Sequence, residues 1–469
     1  MTPATPALDA AFVASALGEM LQGRAGDAAG RPFRRAVVDS REAGPGDLFV
    51  ALPGQHRDGH EFAREAVRAG AAGVLLARPV EGLDQAARFF VEDPLAALQR
   101  LAATWRAALP GTVVIGITGN VGKTTTKLMT AAVLRARYRV HAAANNYNNE
   151  IGVPLCLLAL GPEVERAVVE MGMYTTGEIA ELARWARPRT GVVLNVGPVH
   201  LESAGSLERI ARAKRELVEA LPADGDAILN VDDPRVEAMA EHTAARVWRI
   251  GRGESAAVRA VDVEGSGAAG FSFTLVTSGP APAGSRRVRV PTPGVHLVPN
   301  VLAAAGVALA EGLAPDEVAC TLGRLQPGPR LLMRELPGGV TLLDDSYSAG
   351  PAATIAALDL LSELAGRRIA LLGDMRELGE LSDALHRDVG RRAGEVADRL
   401  VTVGELGRAI ADAALEAGAA PEAVRHAGST EEAVEVLARE LRPGDVLLVK
   451  GSRALALERV VEALAGRDR

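Results

Sequence analysis

Apolar positions along this chain recur in two alternating rhythms. Short buried-strand runs are followed by stretches with helical spacing, the signature of parallel strands covered by helices. In the first part, Arg35–Val38, Asp47–Leu52, Gly73–Ala77 and Arg88–Val91 read as strands. Glu61 to Gly70 reads as an amphipathic helix closed by glycine. Asp93 and Pro94 then supply an N-cap and a first-turn proline for a helix over Leu95–Ala108, which places a boundary near Glu92. The middle part carries strand runs at Val113–Ile117, Ala167–Glu170, Gly191–Asn195 and Asp226–Asn230. Between Val258 and Val290 the pattern changes to short alternating strands with glycine-rich turns, an antiparallel excursion at a sheet edge. Helices over Pro299–Gly312 and Pro315–Leu325 follow, and Pro327-Gly328-Pro329 reads as a linker. The rhythm restarts with strands at Gly339–Asp344, Arg368–Leu372, Arg399–Val403 and Asp445–Val449. The expected architecture is α/β with three domains. A central parallel-sheet, P-loop ATPase-like domain (93–327) is flanked by a small N-terminal α/β domain (1–92) and a C-terminal Rossmann-like domain (328–469).

Composition narrows the function classes. With 48% hydrophobic and 24% charged residues the chain can bury real cores, and a net charge of −7 gives no basic field for nucleic acid or an anionic membrane. No run is apolar enough for a bilayer span, so no membrane insertion and a cytoplasmic location are expected. Cys156 and Cys320 read as buried thiols in apolar helical surroundings, as suits a reducing compartment.

The densest chemistry lies at Gly116-Ile-Thr-Gly-Asn-Val-Gly-Lys-Thr-Thr-Thr126, directly after an apolar strand. Strand, glycine-rich turn and helix start make a phosphate cradle in which backbone N–H groups face an anion, Lys123 reaches terminal phosphates and Thr124 can hold Mg²⁺. The first glycine of the usual motif falls where Ile117 stands, so the signal reads Thr118-Gly119-Asn120-x-Gly122-Lys123-Thr124-Thr125. This variant points toward ATP-dependent amide-bond ligases.

Further candidates sit at strand ends, where ligands bind in open parallel sheets. Glu170 suits a hard cation, although alone it equally suits a solvated carboxylate. His200 alone is more often structural than a ligand, and Lys214 alone would be one charge on a solvated helix face. Asn148 and Asn149 can shape a turn or bind a polar substrate; His296 and Asn300 can cap a helix or approach a base and ribose. Asp344-Asp-Ser-Tyr347, Gly373-Asp-Met-Arg-Glu-Leu-Gly379 and Lys450-Gly-Ser-Arg453 each follow a strand of the last domain and gather on one rim.

Taken in order, these segments resemble the Mur ligase family, and the first part agrees through Asp39-Ser-Arg41, Pro45-Gly-Asp-Leu-Phe-Val-Ala-Leu-Pro-Gly54 and Asp58-Gly-His60. The rim motifs of the last domain are most similar to the members that add a D-alanyl-D-alanine dipeptide. The resemblance implies ATP-driven joining of D-alanyl-D-alanine to UDP-N-acetylmuramoyl-tripeptide through an acyl phosphate, by a monomer using Mg²⁺, two ions being expected. It implies a catalytic set of Lys123, Glu170, His200 and Lys214, with Thr124, Glu170, His200 and a carbamylated Lys214 around the metal. The same resemblance brings His296 and Asn300 to the adenine side and Arg330 and Asp345 to ATP as the last domain closes. Ser40 and Arg41 go to the uridine diphosphate end, and Asn148, Asn149, Tyr347, Lys450, Ser452 and Arg453 to the remaining substrate. Three positions depart from the family pattern. Ser348 and Gly350 replace the asparagines of Tyr-Asn-Ala-Asn-Pro, and Val199 stands where alanine is common. These changes bear on acceptor affinity rather than on the phosphate loop. A ligase adding a single amino acid, or a non-catalytic nucleotide-binding partner, are the competing readings.

Overall fold

The computed structural model describes residues 6–26, 31–54, 57–143, 146–199, 201–326 and 332–466. Three sheets follow one another along the chain. The first runs, edge to edge, Leu21–Ala25, Ala87–Val91, Gly73–Leu76, Leu48–Val50 and Ala36–Val37. All its neighbours are parallel except Leu21–Ala25 against Ala87–Val91.

The central sheet has nine strands with Val113–Thr118 inside, between Arg166–Glu170 and Thr190–Val193. The chain leaves Val113–Thr118 on one side for Val140–Ala142 and Arg166–Glu170, then crosses to Thr190–Val193 on the other. That reversal opens a crevice beyond the carboxyl ends of the strands, where the phosphate loop lies. At the far edge, Val258–Gly265, Phe271–Thr277 and Gly284–Val290 pair antiparallel, as the alternating pattern predicts. The last sheet runs Leu332–Leu336, Val340–Asp345, Val446–Lys450, Arg368–Gly373, Arg399–Val403 and Val424–Ala427. Parallel register sets Asp345 beside Lys450, and Leu372 on that strand's other side, so the three rim motifs do emerge together.

The first and central sheets share one core. The helix Pro94–Ala107 buries Leu98, Leu101 and Trp105 among Leu48 and Phe89 on one side and Val153, Met171 and Ile179 on the other. Trp105 also donates its indole N–H to Leu160 O at 3.0 Å. The last sheet keeps two apolar clusters of its own, one on each face.

Several elements escape the sequence pattern: the helix Ala10–Leu17 and the strands Leu21–Ala25, Val140–Ala142, Arg246–Gly251, Leu332–Leu336 and Val424–Ala427. Most are short, edge-lying or interrupted by charge, so their apolar periodicity is weak. Arg246–Gly251 buries only Trp248, Ile250 and Gly251. One expectation is corrected. Cys156 is buried, and burial pushes its thiol up to about 11. Cys320 is exposed, because the helix Pro315–Leu322 turns only Val318 and Leu322 inward. The linker at Pro327-Gly328-Pro329 lies outside the described residues.

Candidate active site

A cleft of about 1010 Å³ lies between the carboxyl ends of the central and last sheets. Its floor is the phosphate loop. Gly122 (φ 88°) precedes the helix Lys123–Leu134, and a Cβ there would stand 2.3 Å from Asn300 Nδ2, so both backbone sign and space demand glycine. Asn195 holds the loop: its Oδ1 accepts the backbone N–H of Asn120 and Val121, both at 2.9 Å. Asn300 Nδ2 donates to Gly122 O at 3.1 Å and to Thr126 Oγ1 at 2.9 Å. This asparagine therefore braces the loop from the helix Val298–Ala310. Lys123 Nζ folds over the loop and donates to Gly119 O at 2.8 Å. Thr118 is fully buried at the strand end, while Asn120, Thr124 and Thr125 reach the cleft wall.

Beside the loop, polar oxygens converge. Thr124 Oγ1 donates to Glu170 Oε2 at 3.0 Å, and Asn148 Nδ2 donates to Glu170 Oε1 at 2.9 Å. Lys127 Nζ lies 3.7 Å from the same carboxylate, both side chains being at most 2% exposed. Asn149 caps the next helix by accepting Gly152 N–H at 2.9 Å, and it too lines the cleft. Lys214, on the helix Leu207–Glu219, is 2% exposed. Burial, reinforced by the charge of Lys123, pushes its ammonium well below the ordinary lysine value.

The opposite wall comes from the last sheet. Lys450 forms a buried ion pair with Asp345 and donates to Ser348 O at 3.0 Å. The guanidinium of Arg453 sits 5.3 Å over the Tyr347 ring. Ser452 is buried and donates its N–H to Asp374 O at 2.9 Å, but its Oγ has no hydrogen-bond partner among the described residues. Thr292, also on the wall, leaves its Oγ1 in the same state. Buried hydroxyls of this kind are places for a ligand's polar atoms. Near Thr292, burial lowers the His296 imidazole, which stays neutral at pH 7.

Most residues singled out in the sequence thus meet in one cleft. Thr118, Gly119 and Lys214 do not line it, and neither do Ser40, which is buried against Glu65 with its Oγ donating at 3.1 Å, and Arg41, which chelates Asp39 on the first sheet's side. His200 and Arg330 lie outside the described residues. Sequence reasoning passed over Asn195, Thr292, Lys127, Tyr174, Arg376 and Glu377. Asn195 ends an expected strand and the last two stand inside a motif already noticed, so their position past strand ends was the available signal. Thr292 carries no such mark.

Comparison with known proteins agrees with this geometry. Residues 36–106 match the Mur ligase family catalytic domain, 117–308 the Mur ligase middle domain, and 323–453 the Mur ligase, glutamate ligase domain. The UDP-N-acetylmuramoyl-tripeptide--D-alanyl-D-alanine ligase of Mycobacterium tuberculosis is 41% identical over 94% of each chain. The chain belongs to the Mur ligase family. The Escherichia coli ligase of the same name is 38% identical, covering 91% of this Mur ligase and 93% of its own length. Among solved structures, MurF from Acinetobacter baumannii superposes with a TM-score of 0.83 at 30% identity, over 98% and 99% of the two chains. MurF from Thermotoga maritima, in complex with ADP, gives 0.77 at 30% identity over 92% and 97%.

Two departures of this Mur ligase from the family pattern face each other. A Cβ on Gly350 would lie 3.4 Å from Val199 Cγ2, ordinary van der Waals contact. The larger valine on the central side meets the smaller glycine on the other. Gly350 also precedes the helix Pro351–Ser362 without a side-chain cap.

Proposed function

We propose that this Mur ligase uses ATP to join D-alanyl-D-alanine to UDP-N-acetylmuramoyl-tripeptide, giving ADP, phosphate and UDP-N-acetylmuramoyl-pentapeptide for peptidoglycan synthesis in the cytoplasm. The observation that carries this reading is the shared cleft: Lys123, Thr124 and Glu170 on one wall face Asp345, Tyr347 and Ser452 on the other. Its relatives of that name match it over more than nine-tenths of their length. Residues 1–92 take the uridine diphosphate end, 93–327 bind ATP, and 328–469 complete the ATP site and present the dipeptide. Folylpolyglutamate synthase from Mycobacterium tuberculosis, at 20% identity and a TM-score of 0.59, shares the fold alone.

The chemistry begins with an unreactive group. A carboxylate repels nucleophiles, and its oxygen is a poor leaving group. Transfer of the γ-phosphoryl group to the tripeptide carboxylate gives an acyl phosphate, which an amine can attack. Lys123 and the N-terminus of the helix Lys123–Leu134 hold the transferring phosphates and offset their charge. The donor set fits Mg²⁺: a hydroxyl and a carboxylate oxygen 3.0 Å apart, open to substrate phosphate oxygens. Bound Mg²⁺ supplies neutralisation of the phosphoryl charge. Lys127 and Asn148 keep the Glu170 carboxylate oriented toward Thr124.

Lys214 fits carbamylation, because burial lowers its ammonium well below the ordinary lysine value, and the free amine can add CO₂, lose a proton and become an anion. Under ¹³C-bicarbonate, NMR should show a carbamate carbon in the native protein and none in Lys214→Arg. Its absence from the native protein would remove this part of the reading. The activity itself is checked by phosphate release from ATP and Mg²⁺ with UDP-N-acetylmuramoyl-tripeptide. Release should require D-alanyl-D-alanine; release driven by a single amino acid instead would overturn the assignment.

A further inference from the structure

Among the described residues, four that are not glycine adopt positive φ: Arg187 (48°), Asp262 (52°), Glu377 (67°) and Ala456 (48°). Three have local reasons. Arg187 closes the helix Glu178–Ala186, Asp262 sits in the irregular register between Val261 and Glu264, and Ala456 ends the turn Arg453–Leu455. Glu377 alone of the four lines the cleft. Left-handed backbone at a non-glycine residue is strained and persists only where the surroundings impose it. Here they do. Met375 and Leu378 are buried on either side, and Met375 N–H donates to His386 Nε2 at 2.9 Å. Asp374 Oδ1 accepts the N–H groups of Leu406 and Gly407, both at 3.0 Å. Glycine would occupy position 377 with less strain, so the carboxylate is what the site holds there.

Glu377 shares the cleft with Glu170 and with Tyr174, on the segment that leaves the strand Arg166–Glu170. The Tyr174 phenol is pushed up, first by burial and then by the negative charge of Glu377, with Glu150 and Glu178 adding to it. Two residues on, a Cβ on Gly379 would lie 3.6 Å from Glu202 Cα, so the loop that carries Glu377 meets the central side of the cleft.

We propose that Glu377 is the general base of amide formation, an assignment that rests on the function proposed above. The dipeptide arrives as an ammonium with no lone pair to attack with. Glu377 accepts a hydrogen bond from that ammonium and takes one proton. The freed pair forms the N–C bond as the carbonyl π pair moves to oxygen. On collapse the C–O bond to phosphate breaks, phosphate leaves with the electron pair and takes up the second proton, and the amide keeps the third.

The test separates the two chemical steps. Hydroxylamine is neutral near pH 7 and can capture the acyl phosphate without a base. Glu377→Gln should lower kcat with D-alanyl-D-alanine by about 10²-fold while hydroxamate formation from UDP-N-acetylmuramoyl-tripeptide, ATP and Mg²⁺ stays at the native rate. Glu377→Gly should lose the same turnover while melting no lower than the native protein. Native-like turnover in Glu377→Gln overturns the assignment. So does equal loss of hydroxamate, or a raised KM for the tripeptide alone, either of which would place the carboxylate on the acceptor substrate. A native protein that makes hydroxamate but ignores the dipeptide would instead sink the proposed function.

Discussion

Lys123→Ala is expected to lower substrate-dependent phosphate release by about 10³-fold, with little change in fold. The ammonium stands at the first position of the helix Lys123–Leu134 and donates to the loop carbonyls of Gly119 and Asn120. On the proposed function, removing it deletes one positive charge that would face the transferring phosphoryl group, in a cleft that water only partly screens. The loop itself keeps its Asn195 and Asn300 supports, so circular dichroism and the unfolding midpoint should hardly move. Steady-state phosphate release under saturating substrates is the measurement. A variant within tenfold of native would mean that the loop does not bind the reacting phosphates.

The second large effect is on stability. Lys450→Ala leaves Asp345 buried without its partner, and breaking such a pair from one side costs about 3–5 kcal/mol. The substitution also removes the hydrogen bond that Lys450 donates to the Ser348 carbonyl at 3.0 Å. Urea unfolding should show the transition of the last sheet at markedly lower denaturant. The double variant Asp345→Asn, Lys450→Met should recover most of that loss while remaining inactive, because Asp345 lines the cleft. If the single variant unfolded like the native chain, the pair would carry no structural weight.

The sequence made the site more legible than the scaffold. Gly119, Gly122, Lys123 and Thr124 have a fixed local spacing because one turn and one helix start must fit a phosphate, and that spacing survives in the linear text. Strands such as Asp226–Asn230, buried on both faces, announce themselves as apolar runs. Leu21–Ala25 does not, because it pairs only at an edge and none of its five residues is fully buried. Partnerships across the chain were likewise hidden. Nothing near Asn195 says that its amide closes a loop at Asn120, and nothing near Lys450 says that its charge is taken by Asp345. The contact between Val199 and Gly350 turns two separate oddities of the sequence into one local exchange of volume.

Leu98, Leu101 and Trp105 on the helix Pro94–Ala107 pack with residues of both the first and the central sheet, whereas the last sheet closes its own clusters. Heat should therefore divide the molecule into two cooperative blocks rather than three. The amino-terminal part would melt together with the central part, and calorimetry would resolve the carboxy-terminal block as the separate transition. Excision of the first 92 residues would strip apolar cover from the nucleotide-binding half and favour its aggregation. Removal of the last block would leave a fragment able to fold, but with only one wall of the cleft.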